Sequence, residues 1–155
     1  MDAPQNHIWG PALWMILHSS VERIGSQSLA RLPQEETRIW SSLLGSLRYS
    51  LPCPLCKKHY TAYLFAHPIP INQRDAMRSW LFALHSHVNQ TLGVSTTIGL
   101  EQLPEIYGQP FHFSRHCQLV EAHMMQSLRL GWSQRNDVQR TFRCLEELKR
   151  YYDFF

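Results

Sequence analysis

Apolar residues return every three or four positions along most of this chain, with polar residues filling the gaps. Trp9, Leu13, Ile16, Leu17, Val21 and Ile24 form one such stripe, opened by Trp9-Gly10-Pro11 and closed by Gly25-Ser26. Proline near the start and glycine past the end are marks of a helix. Ile39, Trp40, Leu43, Leu44, Leu47 and Leu51 form a second stripe, entered through Pro33-Gln34-Glu35-Glu36 and stopped by Pro52. Acids in the first turn suit the positive end of the helix dipole. A third helix starts at Cys53-Pro54 and carries Tyr60, Tyr63, Leu64 and Ala66 to about His67, where Pro68-Ile69-Pro70 forces a turn. The fourth stripe is the most regular: Met77, Trp80, Leu81, Leu84, His85, Val88 and Leu92. Asn72-Gln73-Arg74-Asp75 approximates a capping box at its start, and Gly93 suits its end.

Residues 94–99 read as a loop and 100–107 as a short fifth helix. Gly108-Gln109-Pro110 punctuates the chain. Two further helices are expected over 114–130 and 135–152, the last with Phe142, Leu145, Leu148 and Tyr152 on its apolar face. No segment alternates with the period of a strand. The expected fold is all-α: a four-helix bundle with a short fifth helix over residues 1–108. A helical C-terminal extension over 109–155 packs on the bundle or builds a subunit interface.

Composition narrows the function classes. At 155 residues the chain is long enough for one real core, and five Trp, six Tyr and seven Phe argue against disorder. A net charge of +3 without a dense Lys/Arg block gives no nucleic-acid footprint. No apolar run approaches the roughly 18 residues of a membrane span, and the polar start Met1-Asp2-Ala3-Pro4-Gln5-Asn6 has no signal-peptide pattern behind it. The expected compartment is cytoplasmic, with no membrane partner, and disulfides are rare there unless they are catalytic.

That makes Cys53 and Cys56 the chemical centre. Two cysteines at a helix N-terminus meet unpaired N–H groups and a partial positive charge, which favour a thiolate. Lys57 and Lys58 push the same way. The pair reads as a reactive dithiol that closes to a disulfide and reopens. Other readings stay open: a thioredoxin-type motif, which lacks its sheet here; two buried thiols in a purely structural helical protein; or half a zinc site, completed by His112 and His116 one helical turn apart. His18 and His85 lie on or beside the apolar stripes of their helices, as core histidines or as ligand-facing ones. With Trp9, Trp14, Trp80 and Asn89 on the same two helices, aromatic faces and a few polar groups suit a flat heteroaromatic ligand. A flavin is one, and it would accept electrons from the dithiol.

Three sets in order, Trp9-Gly10-x-x-x-Trp14-x-x-x-His18, Cys53-x-x-Cys56 and Trp80-x-x-x-x-His85-x-x-Val88-Asn89-x-x-Leu92-Gly93, resemble the Erv/ALR family of FAD-linked sulfhydryl oxidases. The resemblance covers residues 8–108. Leu51-Pro52-Cys53 and the short length look more like the forms encoded by large cytoplasmic DNA viruses, which would place the chain in host cytoplasm or virion. It implies a bundle holding FAD, with Cys56 as the flavin-facing and Cys53 as the outer catalytic cysteine. Trp9, Gly10, Trp14, His18, Cys56, His85, Val88, Asn89 and Tyr107 would bind the cofactor, and no metal is expected. The implied partners are thiol-containing substrate proteins or a relay dithiol protein, dioxygen, and a second copy of the chain in a homodimer formed through the first helices.

Phe82, Ala83 and Ser86 depart from the family pattern, which has Cys, His and Asn there. The disulfide anchored at that Cys is therefore missing, and a polar contact to FAD is lost with Ala83 or replaced by His87. His59 reads as a surface helix residue, the alternative being a role beside the dithiol. Cys117 and Cys144, one on each C-terminal helix, read first as unpaired buried thiols. A staple between the helices needs their Cα atoms within about 7 Å, and a shuttle role ranks last.

Overall fold

Seven α-helices organise the described residues, 3–71 and 73–155, of the computed structural model. They are α1 (Asn6–Val21), α2 (Pro33–Ser50), α3 (Pro54–Ala66), α4 (Arg74–Leu92), α5 (Leu103–Tyr107), α6 (Phe113–Arg129) and α7 (Arg135–Tyr151), with a 3₁₀ turn over Leu100–Gln102 before α5. No strand occurs among the described residues. The all-α expectation holds.

α3 packs on α2, and α4 and α5 pack on α1. The last two helices are not an appendage: α6 lies along α1 and α7 along α2, so the C-terminal helices share the core with the first two. Ile16, Leu43, Leu44, Leu47, Met77, Leu81, Phe113, Val120, Met124, Leu145 and Leu148 are fully buried together. Burying one such side chain stabilises the fold by about 1.5–3 kcal/mol.

Polar contacts fix the register of α7 on α2. The Trp40 indole donates to the Tyr152 hydroxyl at 2.9 Å, which donates to Glu36 at 2.6 Å. Thr141 Oγ1 lies 2.8 Å from Ser46 Oγ and 2.6 Å from Ser50 Oγ, all three residues buried. Ser46 gives its proton to the Leu43 carbonyl. The Thr141 hydroxyl is thus the donor that ties α7 to the two serines of α2.

The helix ends differ from the sequence expectation in small ways. α1 starts three residues before Trp9, with Pro11 inside it, and ends at Val21. Of the expected cap on α4, Asn72 lies outside the described residues. Gln73 is the N-cap and makes no side-chain cap bond, and Asp75 instead binds Arg78 at 2.9 Å. Arg78 also grips half-buried Glu22 with two bonds of 2.7 and 2.8 Å, pinning α4 to the end of α1. Gly93 closes α4 in the left-handed conformation at φ 70°, which a glycine adopts without strain.

Candidate redox site

Leu51-Pro52 ends α2, and the chain re-enters a helix two residues later, so Cys53 becomes the N-cap of α3 in an extended conformation with Pro54 at the first helical position. Its sulfur accepts the Cys56 N–H at 3.2 Å. Cys53 and Cys56 are joined as a disulfide, with Cα atoms 5.1 Å apart. Both are half-buried, and Leu55 between them is exposed. The dithiol reading thus acquires its local cause: a helix N-terminus aimed at a sulfur that solvent and partners can reach.

Lys57 does not face the pair. Its ammonium donates to the Trp132 carbonyl and, at 2.8 Å, to Ser133 Oγ, in the turn between α6 and α7. Burial there pulls its pKa below the usual lysine value. The residue expected to assist the thiolate instead ties the redox helix to the C-terminal helices. His59 is exposed.

Four residues of α1 recur at intervals of four: Asn6, Gly10, Trp14 and His18. They line one ridge of the helix, about 18 Å long at 1.5 Å per residue. At one end, the Asn6 amide nitrogen lies 3.8 Å from Cys53 Sγ and 3.9 Å from Cys56 Sγ. Gly10 leaves room: a Cβ there would meet nothing within 4 Å. Trp14 stacks on His85 of α4, centroids 4.0 Å apart and planes within 9°. At the far end His18 Nε2 and His85 Nδ1 are 3.0 Å apart, and Tyr107 stacks on His18 at 4.7 Å. Desolvation holds His18 down to about 3, helped by His85, and His85 down to about 4, so both imidazoles are neutral near pH 7.

A small cleft of about 90 Å3 opens beside this pair, lined by His18, Phe82, His85, Ser86, Asn89, the 95–98 loop, Leu103 and Tyr107. It gathers four of the residues expected to hold a cofactor. Trp14 borders it through His85. Trp9 faces the core, 6% exposed, with its indole N–H donated to Asn6 Oδ1 at 3.0 Å. Val88 is half-buried against the core. Of the departing positions, Phe82 and Ser86 line the cleft, Ala83 is exposed, and His87 lies beside Tyr63 instead. Sequence reasoning missed Asn6 and the 95–98 loop. Asn6 could have been found by stepping the Gly10-Trp14-His18 spacing back one turn; the loop carries no periodic signal.

Cys117 and Cys144 are not bonded to each other. Cys117 donates to Glu121 at 3.1 Å, and burial pushes both thiols above the ordinary cysteine range. Among the described residues no group of three His, Cys, Asp or Glu is placed to hold a metal. His112 caps α6 through Nδ1, and His116 Nδ1 bonds the His112 carbonyl, so neither reaches the cysteines as the zinc alternative requires. Among the described residues no helix is long and apolar enough to cross a membrane.

An all-helical bundle with a disulfide-forming Cys-x-x-Cys at a helix start and a paired-histidine cleft defines a helical thiol-redox protein. The chain belongs to the Erv1/Alr family, whose model matches residues 11–106. It is similar to the FAD-linked sulfhydryl oxidase of African swine fever virus, 28% identical over 107 residues that cover 65% of this chain and 81% of the relative. It is also similar to the FAD-linked sulfhydryl oxidase ERV1 of Oryza sativa subsp. japonica, 29% identical over 84 residues, 54% of this chain and 41% of that one. No solved structure matches the chain.

Proposed function

We propose that the chain is an FAD-dependent sulfhydryl oxidase that forms disulfides in thiol-bearing substrate proteins. The observation that carries this reading is the α1 ridge: it joins the Cys53–Cys56 disulfide at one end to the neutral histidine cleft at the other. The residues fit the cofactor. A long flat ligand needs an extended track, a gap above the backbone, aromatic faces and uncharged polar groups. The ridge, Gly10, Trp14, the His18–His85 pair, Asn89 and Tyr107 supply these. When bound, FAD supplies a two-electron acceptor that hands the electrons of the reduced dithiol to dioxygen, giving hydrogen peroxide.

The protein's own part is thiol–disulfide exchange. A substrate thiolate attacks Cys53 Sγ, forms a mixed disulfide and expels the Cys56 thiolate. A second substrate thiolate then attacks the substrate sulfur, releases a substrate disulfide and expels Cys53. Cys56 takes the flavin-facing role and Cys53 the outer one. Trp14, His18, His85, Asn89 and Tyr107 hold the cofactor, with Gly10 giving it clearance. Trp9 and Val88 act from behind, as packing. The catalytic core spans residues 1–108, and 109–155 is a structural extension of the same core. α6 and α7 cover α1 and α2, the helices through which the resemblance implies dimerisation, so a homodimer would have to use other surfaces. Whether the thiol donor is a final substrate or a relay dithiol protein, it must reach the exposed Leu55 side of the disulfide.

The test is the absorption spectrum of the purified protein. A flavin spectrum that bleaches with a dithiol in oxygen-free buffer and returns with air is expected. A protein that stays colourless after refolding with excess FAD would overturn the reading.

A further inference from the structure

The contact between Asn6 and the redox pair belongs to none of the three motifs, and it is built. The Trp9 indole only donates, so the Asn6 side-chain atom 3.0 Å from it is the carbonyl oxygen. That leaves the NH2 group facing the two sulfurs, at 3.8 and 3.9 Å. The amide nitrogen is almost equidistant from them and carries two hydrogens. Asn6 is also the first residue of α1, so Trp9, one turn on and locked in the core, sets its rotamer.

We propose that Asn6 is a catalytic residue of the exchange reaction, the donor that receives each thiolate as it is expelled. This rests on the oxidase reading above. In the first step the substrate sulfur bonds to Cys53 Sγ, the Cys53–Cys56 bond breaks, and its electron pair leaves on Cys56 Sγ, where one Asn6 N–H meets it. In the second step the substrate–Cys53 bond breaks and the pair leaves on Cys53 Sγ. There the other Asn6 N–H and the Cys56 backbone N–H both donate. Among the described residues no backbone N–H is bonded to Cys56 Sγ, so the Asn6 contribution weighs most in the first step. Exchange speeds up when the leaving thiolate is stabilised, and hydrogen bonds to charged groups are about twice as strong as neutral ones.

Asn6→Ala and Asn6→Asp test this in the flavin-loaded protein without oxygen. One readout is the rate at which a monothiol opens the Cys53–Cys56 disulfide. The other is the equilibrium of that disulfide with glutathione, read by acid quenching, alkylation and mass, with the flavin followed separately by its absorbance. Asn6→Ala is expected to slow opening about tenfold and shift the equilibrium toward the disulfide by a similar factor, the size of one hydrogen bond to a charge. Asn6→Asp discriminates. An acid in the first helical turn stabilises a helix, so a merely structural role predicts a variant as good as wild type with raised thermal stability. The proposed role predicts the slowest exchange of the series, because a carboxylate repels the leaving thiolate. Trp9→Phe, which removes the indole N–H, is expected to fall between Asn6→Ala and wild type. Unchanged opening rate and glutathione equilibrium in Asn6→Ala would overturn the proposal. Neither readout requires oxygen consumption, so failure of the oxidase reading shows separately, as a wild-type protein that binds no flavin.

Discussion

His18 and His85, 67 positions apart in the chain, meet nitrogen to nitrogen at 3.0 Å, one donating and one accepting. Such a pair needs at least one ring with a bare nitrogen, so it is lost when both rings are charged. Burial depresses both, to about 3 and about 4, from an unfolded value of 6.5. A depressed histidine contributes stability that is fully present above pH 6.5 and is lost as the pH falls through the folded values. Urea unfolding measured between pH 6 and pH 4 is expected to show falling stability. His18→Gln should flatten that slope by roughly one proton's worth. An equally steep slope in the variant would remove the pair as its cause.

The buried hydroxyl triad makes a second prediction. Thr141→Val keeps the shape but removes the donor that faces the buried Ser46 and Ser50 hydroxyls. The expected cost is about 1–3 kcal/mol, the penalty for an unsatisfied buried polar group, read as a lower urea midpoint at constant m-value.

Lys57 holds the redox helix to the turn at Trp132 and Ser133. Lys57→Met retains the stem and removes the donor. The half-buried contact is expected to contribute about 1 kcal/mol. Its loss should appear first as faster hydrogen exchange at residues 131–134, with smaller change in α2. No local change at that turn would refute the tether.

Cys117 and Cys144 are expected to stay out of turnover, since burial disfavours their thiolates. In the air-oxidised native protein an alkylating agent should modify them slowly, and after unfolding it should modify both. The double variant Cys117→Ser with Cys144→Ser should retain wild-type oxygen consumption with a small dithiol; a tenfold loss would make them part of the relay.

Cys56→Ala should retain flavin and lose oxygen consumption with any dithiol by several orders of magnitude, because no disulfide remains to be exchanged. Continued turnover would move the chemistry to another pair.

The stripes at three- and four-residue spacing were sufficient to place every helix within a few residues, because each buries one face and the pattern of burial is local. The dithiol was legible for the same reason: Pro54 and the break at Leu51-Pro52 put Cys53 at a helix start whatever the rest of the chain does. The direction of Lys57 was not legible, since its partner lies 75 positions on and an amine on a four-carbon stem reaches many places.

From the sequence alone came the helices, the Cys53–Cys56 pair and the likeness of its three motifs to a flavin-linked oxidase, all of which depend on residue type and short spacing. Tertiary structure alone decided that α6 and α7 complete the core against α1 and α2, that His18 meets His85 as a neutral pair, and that Asn6 reaches both sulfurs. Those outcomes depend on which apolar faces find each other across long stretches of chain, and many pairings of amphipathic helices satisfy the same periodicity until one set of side chains interlocks.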